Sequence, residues 1–274
     1  MTTGTVAIIG SGAVGSAVAF ALILRESCEK IILYDAFPKV SRGKSLDLSP
    51  ATWAFGKKVS IEFSENFPEK ADVFVITAGF PRKAGMTRKD LLGENERIVL
   101  PILEKLKNSG AIALLVTNPV DLLVKAGVEK VGFPERRLIG SSSLLDSVRL
   151  SDTLGKEAVV LGPHNEKLVA LGAGEKEEAA VRGRGAEIIS LLSSSAQYSP
   201  GAVIAKTVEL VLSGNPGKEI IPCSAYLRDW NGFSKIAFGV PVLLGTEGIE
   251  GFPEIKLTGP ELEKIKEGAR SIES

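Results

Sequence analysis

Thr5-Val-Ala-Ile-Ile-Gly-Ser-Gly-Ala-Val-Gly15, continued after a short gap by Ile31-Ile-Leu-Tyr-Asp35, decides the fold. Thr5 to Ile9 is a short apolar, β-branched run, the composition of a buried parallel strand. Gly10, Gly12 and Gly15 then give G-x-G-x-x-G, and Ala13 to Leu24 is small and apolar, suited to a helix packed on a sheet. A second apolar run, Ile31 to Tyr34, ends at Asp35, 25 residues after Gly10. Strand, glycine turn, helix, strand and acid in this order predict a dinucleotide site. Gly10 permits the tight turn, Gly12 lets backbone approach a pyrophosphate, and Gly15 lets helix and strand pack closely. The helix N-terminus offers N–H groups and a positive dipole end to phosphate. Asp35 stands where an acid accepts hydrogen bonds from ribose hydroxyls and repels a 2′-phosphate, so the expected cofactor is NAD rather than NADP. Lys39 and Arg42 lie close enough in sequence to soften that preference. A tight turn in an ordinary βαβ unit is the competing reading of the glycines.

The 274 residues are enough for one large domain or two of ordinary size. Lys plus Arg, 33 residues, balance Asp plus Glu, also 33, which argues against nucleic acid or an anionic membrane as the main partner. The N-terminal residues lack the basic, apolar and small-residue pattern of a signal peptide, and no apolar run approaches membrane-spanning length. Cys28 and Cys223 are far apart and suggest thiols in a reducing cytoplasm, with nothing to suggest a metal site. Gln, Asn, Met, Cys and His are scarce while Lys, Arg and Glu are abundant, which hints at a thermophile.

From Thr5 to Gly140 strands and helices alternate. Expected strands are Val59 to Phe63 (edge-type), Val73 to Thr77, Ala111 to Val116 and Arg137 to Gly140. Expected helices are Ser41 to Leu48, ended by Ser49-Pro50; Arg88 to Lys107, kinked or broken near Arg97 by Pro101; and Val120 to Ala126. The alternation predicts a doubly wound parallel sheet of Rossmann type over residues 1–141, with ligands at the carboxyl ends of its strands. Past Ser141 the pattern changes. Helices are expected at Leu144 to Leu154, Ala186 to Ser195, Ala202 to Leu212 and Pro260 to Ser271. Short strands are expected at Ala158 to Leu161 and Lys167 to Gly172, antiparallel strands at Ile220 to Leu227 and Phe233 to Val242, and a charged turn at Glu175 to Glu178. Residues 142–274 read as a smaller α+β substrate domain.

Three clusters carry chemistry. In Gly79-Phe-Pro-Arg-Lys-Ala-Gly-Met-Thr-Arg88, Arg82 and Arg88 flank a glycine hinge just after a sheet strand, and two guanidinium forks there suit carboxylate or phosphate. A solvated basic loop is the plainer alternative. Leu145-Asp-Ser-Val-Arg149 puts Asp146 and Arg149 on one helix face, where an intrahelical ion pair is equally open. His164 is the single histidine, and a lone histidine is more often structural or exposed. It follows a Gly-Pro turn at a strand end, however, and its titration range fits proton transfer at neutral pH.

Together these pieces resemble the lactate and malate dehydrogenase family, in particular its lactate-dehydrogenase-like malate dehydrogenase branch. The resemblance rests on the glycine fingerprint, Thr77-Ala78-Gly79, Pro81-Arg82-Lys83-x-Gly85-Met86-x-Arg88-x-Asp90-Leu91, Thr117-Asn118-Pro119, Leu145-Asp146-Ser147-x-Arg149 and Gly162-Pro163-His164. Gly239-Val240-Pro241-Val242 and Leu257-Thr258-x-x-Glu261 add to it, all in family order. The resemblance implies hydride exchange between NAD and malate or oxaloacetate, a tricarboxylic acid cycle reaction. His164 would be the acid–base and Asp146 its orienting carboxylate. Arg149 would clamp the carboxylate beside the reacting carbon, Arg88 polarise the carbonyl, and Arg82 bind the second carboxylate. Asn118 would bond near the reacting oxygen and the nicotinamide. It implies cofactor contacts at Gly10, Gly12, Ala13, Val14, Gly15, Asp35, Thr77, Ala78, Gly79, Asn95, Thr117 and Asn118, a lid at 79–90, and a homodimer or homotetramer. The alternatives are a lactate or other 2-hydroxy acid dehydrogenase, against which Arg82 argues, and a nucleotide-binding relative without catalysis.

The sequence departs from the family pattern in three places. Asn165-Glu166-Lys167 follows the histidine where Gly-Asp-Ser is usual. Asp146 and His164 are only 18 residues apart. The stretch around Ala173 to Gly185 looks shortened. These departures bear on the Asp146–His164 geometry more than on the cofactor site.

Overall fold

A computed structural model describes residues 3–81 and 85–273. The chain begins with β1 (Thr5–Ile9), α1 (Ala13–Arg25), β2 (Lys30–Tyr34), α2 (Pro38–Ala54), β3 (Ser60–Ser64), β4 (Val73–Ile76), α3 (Arg88–Leu106), β5 (Ile112–Leu115) and α4 (Val120–Val131). A 3₁₀ turn at Glu135–Arg137 leads into β6 (Leu138–Gly140). There follow α5 (Ser143–Leu154), β7 (Val160–Leu161), β8 (Val169–Ala170), α6 (Glu175–Leu192), α7 (Tyr198–Ser213), β9 (Ile220–Leu227), β10 (Ile236–Gly245), β11 (Gly248–Gly251) and α8 (Gly259–Glu273).

The main sheet runs β11-β10-β9-β6-β5-β4-β1-β2-β3. Its six strands from β3 to β6 are parallel, in the order 3-2-1-4-5-6 of a doubly wound nucleotide fold. β9, β10 and β11 extend the same sheet antiparallel, joined to β6 through the pair Gly140–Ser224. The second half of the chain therefore lengthens the first sheet rather than building one apart, while β7 and β8 form a small antiparallel pair of their own. The central strands are apolar on both faces because helices cover both: Val6, Ile8, Val73 and Val75 pack in one core cluster, and Ala7, Ile9, Phe74 and Ile76 in the other. α7 lies on α1 closely enough that a Cβ at Gly201 would stand 2.9 Å from Ala17 backbone.

Several boundaries differ from the sequence reading. α2 starts at Pro38, a favourable first-turn position, and runs through Pro50 to Ala54. The carbonyl that Pro50 leaves without a donor belongs to Leu46, whose side chain is exposed, so solvent can take the place of the missing N–H. α3 is likewise continuous through Pro101. Glu175 to Glu178 is the first turn of α6, not a turn between elements: three acids sit at the positive end of the helix dipole. Glu178 is buried and paired with Arg182 at 2.8 Å and Lys264 at 3.0 Å, which pins α6 to α8. β10 begins and ends three residues later than expected, and β11 was not foreseen.

Candidate active site

The three fingerprint glycines have three different environments. Gly10 has φ +101°, and a Cβ there would stand 2.6 Å from the Ala78 nitrogen. A Cβ on Gly15 would collide with the Gly10 carbonyl oxygen, so α1 can lie against β1 only with glycine at this position. Around Gly12 there is open space, and among the described residues no side chain caps α1. The first-turn N–H groups, over Ala13, Val14 and Gly15, are thus left for an anion. At the end of β2, Asp35 accepts the Ser11 N–H at 2.8 Å and the Phe37 N–H at 3.0 Å, which fixes a carboxylate beside the glycine turn. Open backbone for a pyrophosphate and a fixed acid for a ribose fit a dinucleotide.

The strand ends beyond β4 and β5 form the neighbouring wall. Thr77 Oγ1 donates to the Gly10 carbonyl at 2.6 Å, and Thr117 Oγ1 to the Ala78 carbonyl at 2.7 Å. Asn95, on α3, is buried, and both ends of its amide are taken. Oδ1 accepts Phe80 N–H at 2.6 Å, and Nδ2 donates to the Asn118 carbonyl at 2.6 Å. The sequence reading placed Asn95 among the cofactor contacts. Its polar atoms tie the loop after β4 to the loop after β5. Asn118 Oδ1 lies 3.4 Å from the Val120 N–H that opens α4.

A Thr87–Asp90 capping box sets the start of α3: Thr87 Oγ1 accepts Asp90 N–H at 3.1 Å, and Asp90 accepts Thr87 N–H at 3.0 Å. Arg88 is therefore the first helical residue, and its Nε is buried without a partner among the described residues. Arg82 and the rest of 82–84 lie outside the described residues.

α5 carries Asp146 and Arg149 one turn apart, with Arg149 Nη1 at 3.4 Å from Asp146 Oδ1. Arg149 Nε is also buried and unpartnered among the described residues. Burial lowers the Arg149 pKa from its ordinary value while the Asp146 charge opposes this. The other Asp146 oxygen lies 2.6 Å from His164 Nδ1. The short spacing in sequence therefore does not separate acid from imidazole. With Nδ1 engaged, Nε2 has no hydrogen-bond partner among the described residues. Burial pushes the imidazole pKa down, but the Asp146 charge and hydrogen bond, with a smaller contribution from Asp121, outweigh it and the net direction is up.

One residue at this site was missed by sequence reasoning. Asp121, in the first turn of α4, is fully buried and accepts the His164 backbone N–H at 2.7 Å. The available signal was a lone acid inside Val120-Asp-Leu-Leu-Val124. Among the described residues no group of three or more His, Cys, Asp or Glu could hold a metal ion, and no helix is long and apolar enough to cross a membrane.

Arranged this way, the site offers a histidine oriented by a carboxylate and two arginines whose Nε atoms are buried without a partner among the described residues, in a chain that also carries a dinucleotide cradle. Two family models match the chain: lactate/malate dehydrogenase, NAD binding domain, over residues 5–140, and lactate/malate dehydrogenase, alpha/beta C-terminal domain, over 172–273. Asp146, Arg149 and His164 lie between the two matched stretches. A malate dehydrogenase of Parabacteroides distasonis is 34% identical over 97% of this chain and 95% of its own. That alignment spans 299 positions against a chain of 274 residues, so the relative carries residues that this chain lacks. Among solved structures, the malate dehydrogenase from Aeropyrum pernix matches with a TM-score of 0.89 at 33% identity, covering 98% of this chain and 96% of that one. The malate dehydrogenase from Archaeoglobus fulgidus in complex with NADH matches with a TM-score of 0.89 at 29% identity, covering 98% and 97%.

Proposed function

Because the chain belongs to the lactate/malate dehydrogenase family, we propose that it is an NAD-dependent malate dehydrogenase interconverting malate and oxaloacetate. The observation that carries this reading is the His164–Asp146–Arg149 cluster, tied through Asp121 to the start of α4 after β5, with the Arg88 charge reaching Asp121. In the oxidation direction His164 Nε2 takes the hydroxyl proton of malate, and Asp146 holds the ring and stabilises the imidazolium. When bound, the nicotinamide of NAD supplies the hydride acceptor. Arg149 pairs with the carboxylate next to the reacting carbon, and its buried Nε adds a donor for a bidentate contact. Arg88 stabilises the oxygen as charge develops on it. Asn118 orients the reacting oxygen from the end of β5.

The dicarboxylate preference is assigned to Arg82 through the family resemblance. Oxaloacetate carries a second carboxylate where pyruvate has a methyl. The test is kcat/KM from NADH absorbance with each substrate, in the wild type and in Arg82→Gln. A hydrogen bond to a charged group contributes about 1.5–3 kcal/mol, so the oxaloacetate-to-pyruvate ratio is expected to fall by about 10–150-fold in the variant. A wild type that prefers pyruvate would make this a lactate dehydrogenase instead. A ratio that moves by less than about tenfold would mean that Arg82 does not read the second carboxylate.

We further propose a homo-oligomer, dimer or tetramer, supported by the large apolar side chains that α1 and α2 leave exposed. A cytoplasmic setting is proposed on the two free, buried thiols, Cys28 and Cys223, whose pKa values burial pushes up to about 12. A thermophilic source is proposed on composition and on inter-element ion pairs such as Lys264–Glu178 and Lys167–Glu267.

A further inference from the structure

Helix α4 carries an acid that this mechanism leaves without a task. A buried carboxylate is costly unless it is bonded or paired, so the partners of Asp121 show what it is kept for. Oδ2 accepts the His164 N–H across 43 residues of sequence, at 2.7 Å. Oδ1 is buried with no partner among the described residues. The charges that reach the carboxylate are those of His164 and Arg88, and the buried Ser224 of β9 stands beside it. An acid kept only for the α4 dipole could stay in solvent; this one is fully buried and aimed at the segment that carries His164.

Around that segment, Asn165 Nδ2 donates to Ser271 Oγ of α8 at 3.3 Å and Lys167 pairs with Glu267 at 2.5 Å. Gly162, with φ +85°, exchanges backbone bonds with Gly239 of β10 at 2.8 and 3.0 Å. The Asn165 N–H turns back on the Pro163 carbonyl, inside the same turn. Among the described residues, the hydrogen bond that fixes the His164 main chain from outside is the one to Asp121, and the bond that fixes its ring is the one to Asp146. Two fixed points, backbone nitrogen and Nδ1, determine where Nε2 points. Asp121 also begins the helix that follows Asn118-Pro119, so the histidine is placed relative to the end of β5.

We propose that Asp121 is a positioning residue for proton transfer: its carboxylate holds the His164 main chain so that Nε2 meets the hydroxyl of the substrate. This rests on His164 being the acid–base. The test compares wild type, Asp121→Ala, Asp121→Asn and His164→Asn as full chains. The readouts are kcat and KM for oxaloacetate, NADH affinity by fluorescence, and the midpoint of thermal unfolding. Misplacing a reacting group by about an ångström can cost on the order of 10²-fold, and a loss of that order in kcat is expected for Asp121→Ala. KM and NADH affinity should stay within about threefold, because the carboxylate is engaged by the His164 main chain and not assigned to either ligand. Asp121→Asn keeps an oxygen that accepts the same N–H and should recover kcat to within about tenfold of wild type. The proposal is overturned if Asp121→Ala keeps kcat within about threefold of wild type, or if folded Asp121→Asn loses on the order of 10²-fold. The asparagine variant alone decides the matter if the alanine variant does not fold. Turnover surviving in His164→Asn would remove the acid–base reading itself, whereas the two overturning results leave His164 in its role.

Discussion

His164 is the single histidine of the chain, so one imidazole resonance reports the protonation of the site. Its pKa is raised because the Asp146 charge and hydrogen bond outweigh the effect of burial. Malate oxidation needs the neutral ring, so its rate should fall as pH drops through that raised midpoint. Oxaloacetate reduction needs the imidazolium and should fall as pH rises through it. Asp146→Asn removes the largest contribution that raises the midpoint, so the imidazole resonance should titrate at lower pH, and kcat should fall because the ring loses its orienting partner. An unmoved midpoint would mean that Asp146 does not set the basicity of His164. In His164→Asn, kcat should drop by about 10²–10⁴-fold, the range of general acid–base catalysis, with NADH affinity nearly unchanged. A loss below about tenfold would place the base elsewhere. His164 stood out in the sequence as a single histidine after a strand-end Gly-Pro, and the family resemblance is what gave it the acid–base role. The backbone contacts of Asp121 and Asn95 were not legible, since each engages residues distant in sequence.

At the scale of elements, β1, the glycine turn and α1 make a test that separates packing from binding. A methyl at Gly15 meets the Gly10 carbonyl, so Gly15→Ala must push α1 off β1. Overpacking of this kind costs about 1–3 kcal/mol, to be read as a lower denaturant midpoint. A methyl at Gly12 meets nothing within 4 Å, so Gly12→Ala should leave stability unchanged and weaken NADH binding, because the methyl occupies the path of the pyrophosphate. Equal stability losses in the two variants would contradict this division of roles. The parallel strands were legible for the same physical reason: strands buried on both faces leave unbroken apolar runs. The helix ends were less so. Pro50 and Pro101 read as breaks yet lie inside α2 and α3, and Gly183 and Gly185 hid the continuity of α6. Tertiary packing overrode local propensity in each case.

For the molecule as a whole, the sheet pattern says where its halves join, and the surface says what they leave uncovered. β9 to β11 extend the first sheet past β6, a connection no local pattern encodes, because it depends on one long-range pair, Gly140 with Ser224. On the far side, α2 exposes Leu46 at 68% and Trp53 at 87%, seven residues apart and so on one helix face. Phe20 of α1 meets Phe55 just past α2 with ring centroids 5.7 Å apart, and Leu24 continues the apolar surface one turn along α1. Single exposed apolar side chains need no explanation, but an adjoining set containing an almost bare tryptophan marks an interaction site. A symmetric dimer lets one such patch cover its own copy, and buried tryptophans are frequent anchors of such contacts. Sedimentation of the wild type at micromolar concentration should therefore give a dimer or tetramer. In Trp53→Glu the contact loses its anchor and places a carboxylate opposite its symmetry mate. Loss of about 2 kcal/mol or more is expected, which weakens assembly by at least about 30-fold and shifts the sedimenting species toward smaller mass. Cofactor binding should survive in the dissociated species, because Trp53 lies at the far end of α2 from Asp35. A wild-type monomer would remove the oligomer proposal. An oligomer indifferent to Trp53→Glu would move the interface away from α2.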